Sequence, residues 1–162
     1  MIRPRVFVTV TLLMALCAAA SAQNSNGYVF FAPGGVTSEG HTSMTLHMGA
    51  GGEGIIGKGI GVGAEIGALG PREQFSSAIG VFSPNGYYHF RRQPGQKLDP
   101  FVTGGYTLLF RGGHANLFNV GGGVNYWFHE RIGLRLELRD HVWRDSSGTA
   151  QYWGVRLGLT FK

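Results

Sequence analysis

Apolar residues fall on every second position along most of this chain. In Gln151–Lys162, Trp153, Val155, Leu157, Leu159 and Phe161 alternate with Tyr152, Gly154, Arg156, Gly158 and Thr160. A period of two predicts an extended strand with two unlike faces. The same signature recurs upstream. Gly27–Pro33 carries Tyr28 and Phe30 against smaller neighbours, and a loop over Gly34–Gly40 follows. His41–Gly51 sets Met44, Leu46, Met48 and Ala50 against Thr45, His47, Gly49 and Gly51. After a turn near Gly57-Lys58, Gly59–Leu69 sets Ile60, Val62, Ala64, Ile66 and Ala68 against Gly61, Gly63, Glu65 and Gly67. Gly70-Pro71 breaks the pattern, within a short loop over Gly70–Glu73. Gln74–Phe90 is the least regular stretch: Ser83-Pro84-Asn85 reads as a turn or as a kink in one long strand, and a strand proline implies an edge or a bulge.

Arg91–Asp99 is a polar, basic connection. Beyond it, Phe101–Phe110, Ala115–Phe128 and a segment from Ile132 alternate again, separated by Gly112-Gly113 and His129–Arg131. In the last of these Ile132, Leu134, Leu136 and Leu138 face away from Gly133, Arg135, Glu137 and Arg139. Asp140 ends the apolar face, and the loop from Asp145 to Ala150 leads to the final strand. Eight strands of about ten residues match the length needed to cross a bilayer at a tilt. An even number can close into an all-β, eight-stranded antiparallel up-and-down barrel, with the last strand on the first and no edge left over.

Composition decides which face meets what. The non-apolar face is mostly Gly, Ala, Thr, Ser and Asn, with Glu65, Arg135, Glu137, Arg139 and Arg156 among them. A soluble surface carries roughly 25–35% charged residues; this chain has 14%, with 28 glycines. Small residues and a few opposite charges suit a narrow lumen, and a continuous Leu/Val/Phe/Tyr face suits lipid. The barrel is therefore expected to be transmembrane, with those five charges as a paired, structural lumen network. An eight-stranded barrel is filled by its own side chains. If pairing sets Glu137 beside Arg156, each buried charge has a partner, as burial demands. Trp153 and Phe161, at opposite ends of the last strand, are expected as membrane-interface anchors. A soluble barrel with its apolar face inward is the alternative.

Met1–Ala22 has the three parts of a secretory signal peptide. Arg3 and Arg5 precede the apolar run Val6–Leu16, and Ala20-Ser21-Ala22 forms an A-x-A cleavage site. A lipoprotein signal at Cys17 would need a small residue where Leu16 stands. Cleavage after Ala22 leaves residues 23–162 as one barrel domain without cysteine. Removing Arg3 and Arg5 from the 14 basic residues leaves 12 against 9 acidic ones. A net +3 on an exported chain is no argument for nucleic acid.

The signal peptide, the eight alternating strands and the ending Leu157-Gly158-Leu159-Thr160-Phe161 together resemble the small outer-membrane β-barrels of the OmpA/OmpX-like type. The resemblance implies porin-like residence in a Gram-negative outer membrane, periplasmic termini and four outward loops. It also implies a C-terminal signal for the barrel-assembly machinery in Gly154, Leu157, Leu159 and Phe161. Lys162 departs from the pattern, since the family usually ends on an aromatic residue. The fold hosts several activities and so implies none.

Other motifs are weaker. Gly49–Gly54 spells G-x-G-x-x-G and Gly52–Gly59 approaches a phosphate loop, but no helix is expected after either. His41, His47, His89, His114, His129 and His141 show no zinc-site spacing and read as scattered interface or loop histidines. His41-Thr42-Ser43 with Glu39 has the form of the His-x-Ser pair of outer-membrane lipid A deacylases, without that family's longer motif. The palmitoyl-transferase barrels offer no residues to match. The expectation is a non-enzymatic monomer with no cofactor or metal, lipid as its partner and a structural, membrane-integrity role. A narrow channel or carrier for small or apolar solutes is the alternative. A secreted ligand-binding barrel and a deacylase-like enzyme rank below it.

Overall fold

A computed structural model describes residues 25–38, 41–90, 95–111, 113–145 and 148–162. The signal segment, its cleavage site after Ala22, and Cys17 lie outside the described residues. The strands are β1 (Ser25–Ser38), β2 (His41–Gly57), β3 (Ile60–Pro71), β4 (Ile79–His89), β5 (Leu98–Phe110), β6 (His114–Trp127), β7 (Ile132–Asp145) and β8 (Gly148–Phe161). One short 3-10 turn, Phe75–Ser77, precedes β4. Each strand pairs antiparallel with the next, and β8 closes on β1.

The register fixes the shape. Asn26 pairs with Glu53, and the ladder then runs through Gly63, Asn85, Gly105, Asn119, His141 and Tyr152 to return to β1 at Val36. The circuit thus comes back ten residues from its start. A stagger of ten over eight strands requires a strand tilt of about 40° and a radius of about 8 Å. A 14-residue strand such as β8 then rises roughly 35 Å, more than the roughly 30 Å of a hydrocarbon core. One end of the barrel, here the terminal end, carries Ser25, Phe161 and the ends of β2–β3, β4–β5 and β6–β7 that follow one another in the chain. The other, here the far end, carries the corresponding ends of β1–β2, β3–β4, β5–β6 and β7–β8.

The strands are longer than the alternation implied, from 11 residues in β4 to 17 in β2. The sequence placed a loop at Gly34–Gly40, yet β1 continues to Ser38, and Thr37 still pairs with Thr42 and Gln151. Arg144 likewise pairs with Thr149 beyond the apolar stretch. Backbone pairing outlasts the apolar pattern because the ladder joins N–H and C=O groups that every residue but proline carries. Pro84 lies inside β4, with no turn. Phe82 pairs with Leu108 and Asn85 with Gly105, so the register holds while two residues on each strand of the β4–β5 ladder go unpaired. Pro33 interrupts the β1–β8 ladder in the same way.

The outer face is apolar: Ile66 is 61% exposed and Leu138 59%. Tyr88, Phe90, Tyr126, Phe128 and Phe161 ring the terminal end on this face, and Phe82, Tyr106, Phe118 and Trp153 lie toward the far end. One expectation is overturned. Tyr28 and Phe30 point inward and are buried, whereas Val29 and Phe31 face out. Glycines opposite make the room, since a Cβ at Gly51 would sit 2.7 Å from the Tyr28 ring and one at Gly49 would sit 3.0 Å from Phe30.

The β2–β3 hairpin turns on Lys58 (φ 51°) and Gly59 (φ 83°). Positive φ at both central residues is the twist-matched hairpin geometry. Gly59 is also pressed against β4, where a Cβ would meet the His89 carbonyl oxygen at 2.3 Å, and its own carbonyl accepts the His89 amide at 2.8 Å. Gly59→Ala is expected to destabilise the refolded barrel by about 1–3 kcal/mol, read as a lower urea midpoint in detergent.

Candidate functional site

The lumen is where the chemistry of this chain collects. Inward positions on β7 bring Arg135, Glu137 and Arg139, β8 brings Arg156, and β3 brings Glu65; all five are 1–3% exposed. Glu65 accepts from Arg139 Nη1 at 2.8 Å and from Arg156 Nη1 at 2.9 Å. Glu137 accepts from Arg135 Nε at 3.0 Å and from Arg139 Nε. Glu137 and Arg156 are direct cross-strand neighbours, with Nη1 3.8 Å from Oε1. The five residues singled out from the sequence thus form one contiguous cluster.

Others join it. Tyr28 donates to Glu65 at 2.8 Å, and its hydroxyl lies 2.7 Å from that of Tyr87. The Arg135 guanidinium sits 4.2 Å over the Tyr28 ring and 4.0 Å over Phe101, and that of Arg156 sits 4.4 Å over Phe30. Such stacking favours the planar, weakly hydrated arginine head. Toward the terminal end, Glu53 accepts from Asn26 at 2.9 Å and lies 3.7 Å from Arg135. His89 stands between two carboxylates, Asp99 at 2.8 Å and Glu53 at 3.4 Å. Among the described residues, three buried arginines face three buried glutamates, and a fourth buried carboxylate, Asp99, is held by His89.

Glycine makes this possible. Glu65 pairs across the sheet with Gly51, Glu53 with Gly63, Glu137 with Gly123, Arg135 with Gly158, and Arg139 with both Gly121 and Gly154. Each of these large side chains extends over a neighbour that has none. The G-x-G-x-x-G run at Gly49–Gly54 lies within β2, and the phosphate-loop-like Gly52–Gly59 runs through β2 into its hairpin. Both serve as lumen wall.

Above the charges the lumen changes character. Asn85, Asn119, Thr107 and Ser83 form a neutral layer joined by bonds of 2.8–3.0 Å. Beyond it His47, His141 and Tyr152 cluster, with ring centroids 5.1–6.4 Å apart. The histidines were expected at interfaces or loops. His41 and His129 are exposed, but His47, His89 and His141 are buried in the lumen. Strand parity carried that signal: His47 shares its face with Thr45 and Gly49, and His141 follows Arg139 two residues on. At the far end the lumen opens into a cavity of about 310 Å³, lined by Val36, Leu69, Ile79, Leu109, Ala115, Leu117, Trp143, Gln151 and Tyr152. His41, Thr42 and Ser43 lie exposed at the far-end start of β2, and Glu39 is outside the described residues. Trp153 (45% exposed) and Phe161 (40%) both point outward, and Gly154 faces the lumen. At the terminal end the Lys162 ammonium lies 4.0 Å over the Trp127 ring.

The same closed architecture recurs among solved proteins. Neisserial surface protein A (NspA) superposes with a TM-score of 0.65 at 12% identity, over 85% of this chain and 96% of that one. The N-terminal β-barrel domain of Pseudomonas aeruginosa OprF gives 0.62 at 19% identity, again over 85% and 96%. This is the eight-stranded outer-membrane β-barrel fold. A transmembrane barrel designed de novo shares it at a TM-score of 0.56 and 16% identity, over 84% and 93%. No protein-family model matches the sequence, and comparison with curated proteins finds no relative.

Within the barrel fold, Glu65 is the carboxylate on which two arginines and a tyrosine converge. Glu65→Gln should cost about 3–5 kcal/mol, the scale for leaving buried charges unpaired. Adding Arg156→Gln should recover part of that loss. A double-mutant cycle on detergent-refolded protein, read by urea unfolding, should give a coupling of about 1–3 kcal/mol; strict additivity would dismiss the network.

Proposed function

We propose that this protein is an outer-membrane β-barrel with a structural, membrane-integrity role and no enzymatic activity. In this reading residues 1–22 are the export signal, cleaved after Ala22. The barrel is a monomer with periplasmic termini, and its partner is outer-membrane lipid. Trp153 and Phe161 anchor the two membrane interfaces. Gly154, Leu157, Leu159 and Phe161 form the terminal signal that the assembly machinery reads.

One observation carries the proposal: the apolar residues face out while ion pairs fill the inside. A soluble barrel would leave the outer Leu, Val, Ile and Phe side chains in water, at roughly 25 cal/mol for each Å² exposed. Lipid removes that cost, and a closed barrel is one of only two structures that satisfies its whole backbone there. The matched charges across the lumen support a closed plug over a conducting pore, because an ion in transit would have to displace buried salt bridges.

Mature Gln23–Lys162, refolded into detergent micelles, should migrate differently on a gel before and after boiling. Its β-sheet circular dichroism should appear only with detergent. In planar bilayers it should give no stepwise current. Folding in plain buffer without a gel shift would turn the apolar face inward and end the membrane reading. Current steps altered by Glu137→Ala would replace the plug with the narrow-channel alternative.

A further inference from the structure

We propose that the terminal end of the barrel is a docking surface for anionic phospholipid headgroups. All three lysines of the chain, Lys58, Lys97 and Lys162, stand at that end. Lys58 lies in the β2–β3 hairpin, Lys97 and Arg131 immediately precede β5 and β7, and Lys162 follows β8. All four side chains are exposed, and among the described residues Glu130 is the one exposed side-chain carboxylate beside them. The far end shows no such surplus. There Arg72 is followed by Glu73, Asp140 lies on the outer face, and Arg111 donates to the Ala78 carbonyl oxygen at 2.6 Å. The lumen adds none, since its arginines pair with glutamates. Among the described residues the excess positive charge therefore sits at one end.

Position decides what that charge meets. Tyr88, Phe90, Tyr126, Phe128 and Phe161 ring the same end on the lipid-facing surface, and such aromatic belts sit at the level of the headgroups. Basic side chains just beyond the belt stand at the depth of the phosphates. A hollow of about 620 Å³ joins the two, lined by Lys97, Trp127, Phe128, His129 and Lys162 among others. Phe128 is 51% exposed on the lipid side, so an acyl chain lying along it leads its headgroup toward two ammonium groups. Backbone bonds hold those lysines in place: the Lys97 carbonyl accepts the Trp127 amide at 2.7 Å, and the Lys162 amide donates to the Arg131 carbonyl at 3.0 Å. The Lys162 ammonium lies 4.0 Å over the Trp127 ring, a contact that orients the cation and keeps its charge. Among the described residues no carboxylate pairs with Lys58, Lys97 or Arg131. A zwitterionic headgroup brings its own ammonium and gains little here. A headgroup of net negative charge gains about fivefold in partition for each basic residue near it. A soluble acidic polymer would meet the charge but leave the aromatic belt unused.

The inference rests on the lipid-facing barrel reading above, and the test separates the two. Refolded barrel is taken from mixed micelles holding equimolar phosphatidylglycerol and phosphatidylcholine with identical chains, and native mass spectrometry counts the lipids it retains. Wild type should prefer phosphatidylglycerol about tenfold. Lys97→Gln with Lys162→Gln should remove most of that preference, and adding Lys58→Gln and Arg131→Gln should bring the two lipids to parity. Arg72→Gln with Arg111→Gln, at the far end, should change nothing. The gel shift on boiling reports independently whether each variant is a folded barrel. Equal retention of the two lipids by wild type overturns the proposal, as does a preference that survives all four substitutions. An equal loss in the far-end variant means that net charge matters and its place does not, which also overturns it. Displacement of phosphatidylglycerol by soluble polyglutamate would make the surface a site for acidic polymers and overturn the lipid. Wild type without a gel shift would instead fail the membrane reading itself.

Discussion

A barrel about 8 Å in radius has to hold three arginines, three glutamates and an aspartate without leaving any charge alone. The Glu65 carboxylate meets that constraint at the centre. It binds Arg139 from β7, Arg156 from β8 and Tyr28 from β1, so strands far apart in sequence converge on one group. Glu137 repeats the arrangement between Arg135 and Arg139. Because half of a buried pair costs more than none, the network is all-or-nothing, and it favours the one register that assembles it. A one-residue slip of β7 would send Arg135, Glu137 and Arg139 into lipid together. The charges therefore specify the barrel's closure more than they stabilise it.

The glycines follow from the same constraint. A side chain as long as arginine cannot lie across a narrow lumen if the wall opposite also projects one. Glu53, Glu65 and Arg135 accordingly each have a glycine as one cross-strand partner, and Arg139 has glycine on both sides. Motifs that resemble nucleotide loops in linear sequence are, in the folded chain, this wall. The aromatic rings of Tyr28, Phe30 and Phe101 use the remaining space by lying against guanidinium faces.

Period-two alternation made the number of strands, their order and the inverted faces legible. Parity alone placed Glu65, Arg135, Glu137, Arg139 and Arg156 on one surface. What it could not give was distance: only the stagger of ten brings β3 within reach of β7 and β8. Parity also went astray where residue character and position disagree. Tyr28 and Phe30 look like lipid-facing residues, but they lie inside because Gly49 and Gly51 leave the space and the arginines supply a partner for the rings. Glu53, Asp99 and His89 lie where the apolar alternation fades, so the strands had to be extended before these residues could be seen as part of the lumen. The cavity over Tyr152 was illegible for a different reason. Leu69, Leu109 and Leu117 are inward apolar residues on separate strands, and nothing local distinguishes them from outward ones.

The two halves of the lumen are filled differently, a choice that the fold alone leaves open. A transmembrane barrel designed de novo shares the architecture. The terminal half of the filling is charged, paired and closed. Its arginines and glutamates pair with one another, and removing one of them leaves a buried charge short of its counterpart. The far half holds the ring cluster of His47, His141 and Tyr152 and, beyond it, a cavity walled by Leu69, Leu109 and Leu117. Below that cavity the paired charges fill the lumen across its width, from Glu65 on β3 to Arg139 on β7 and Arg156 on β8.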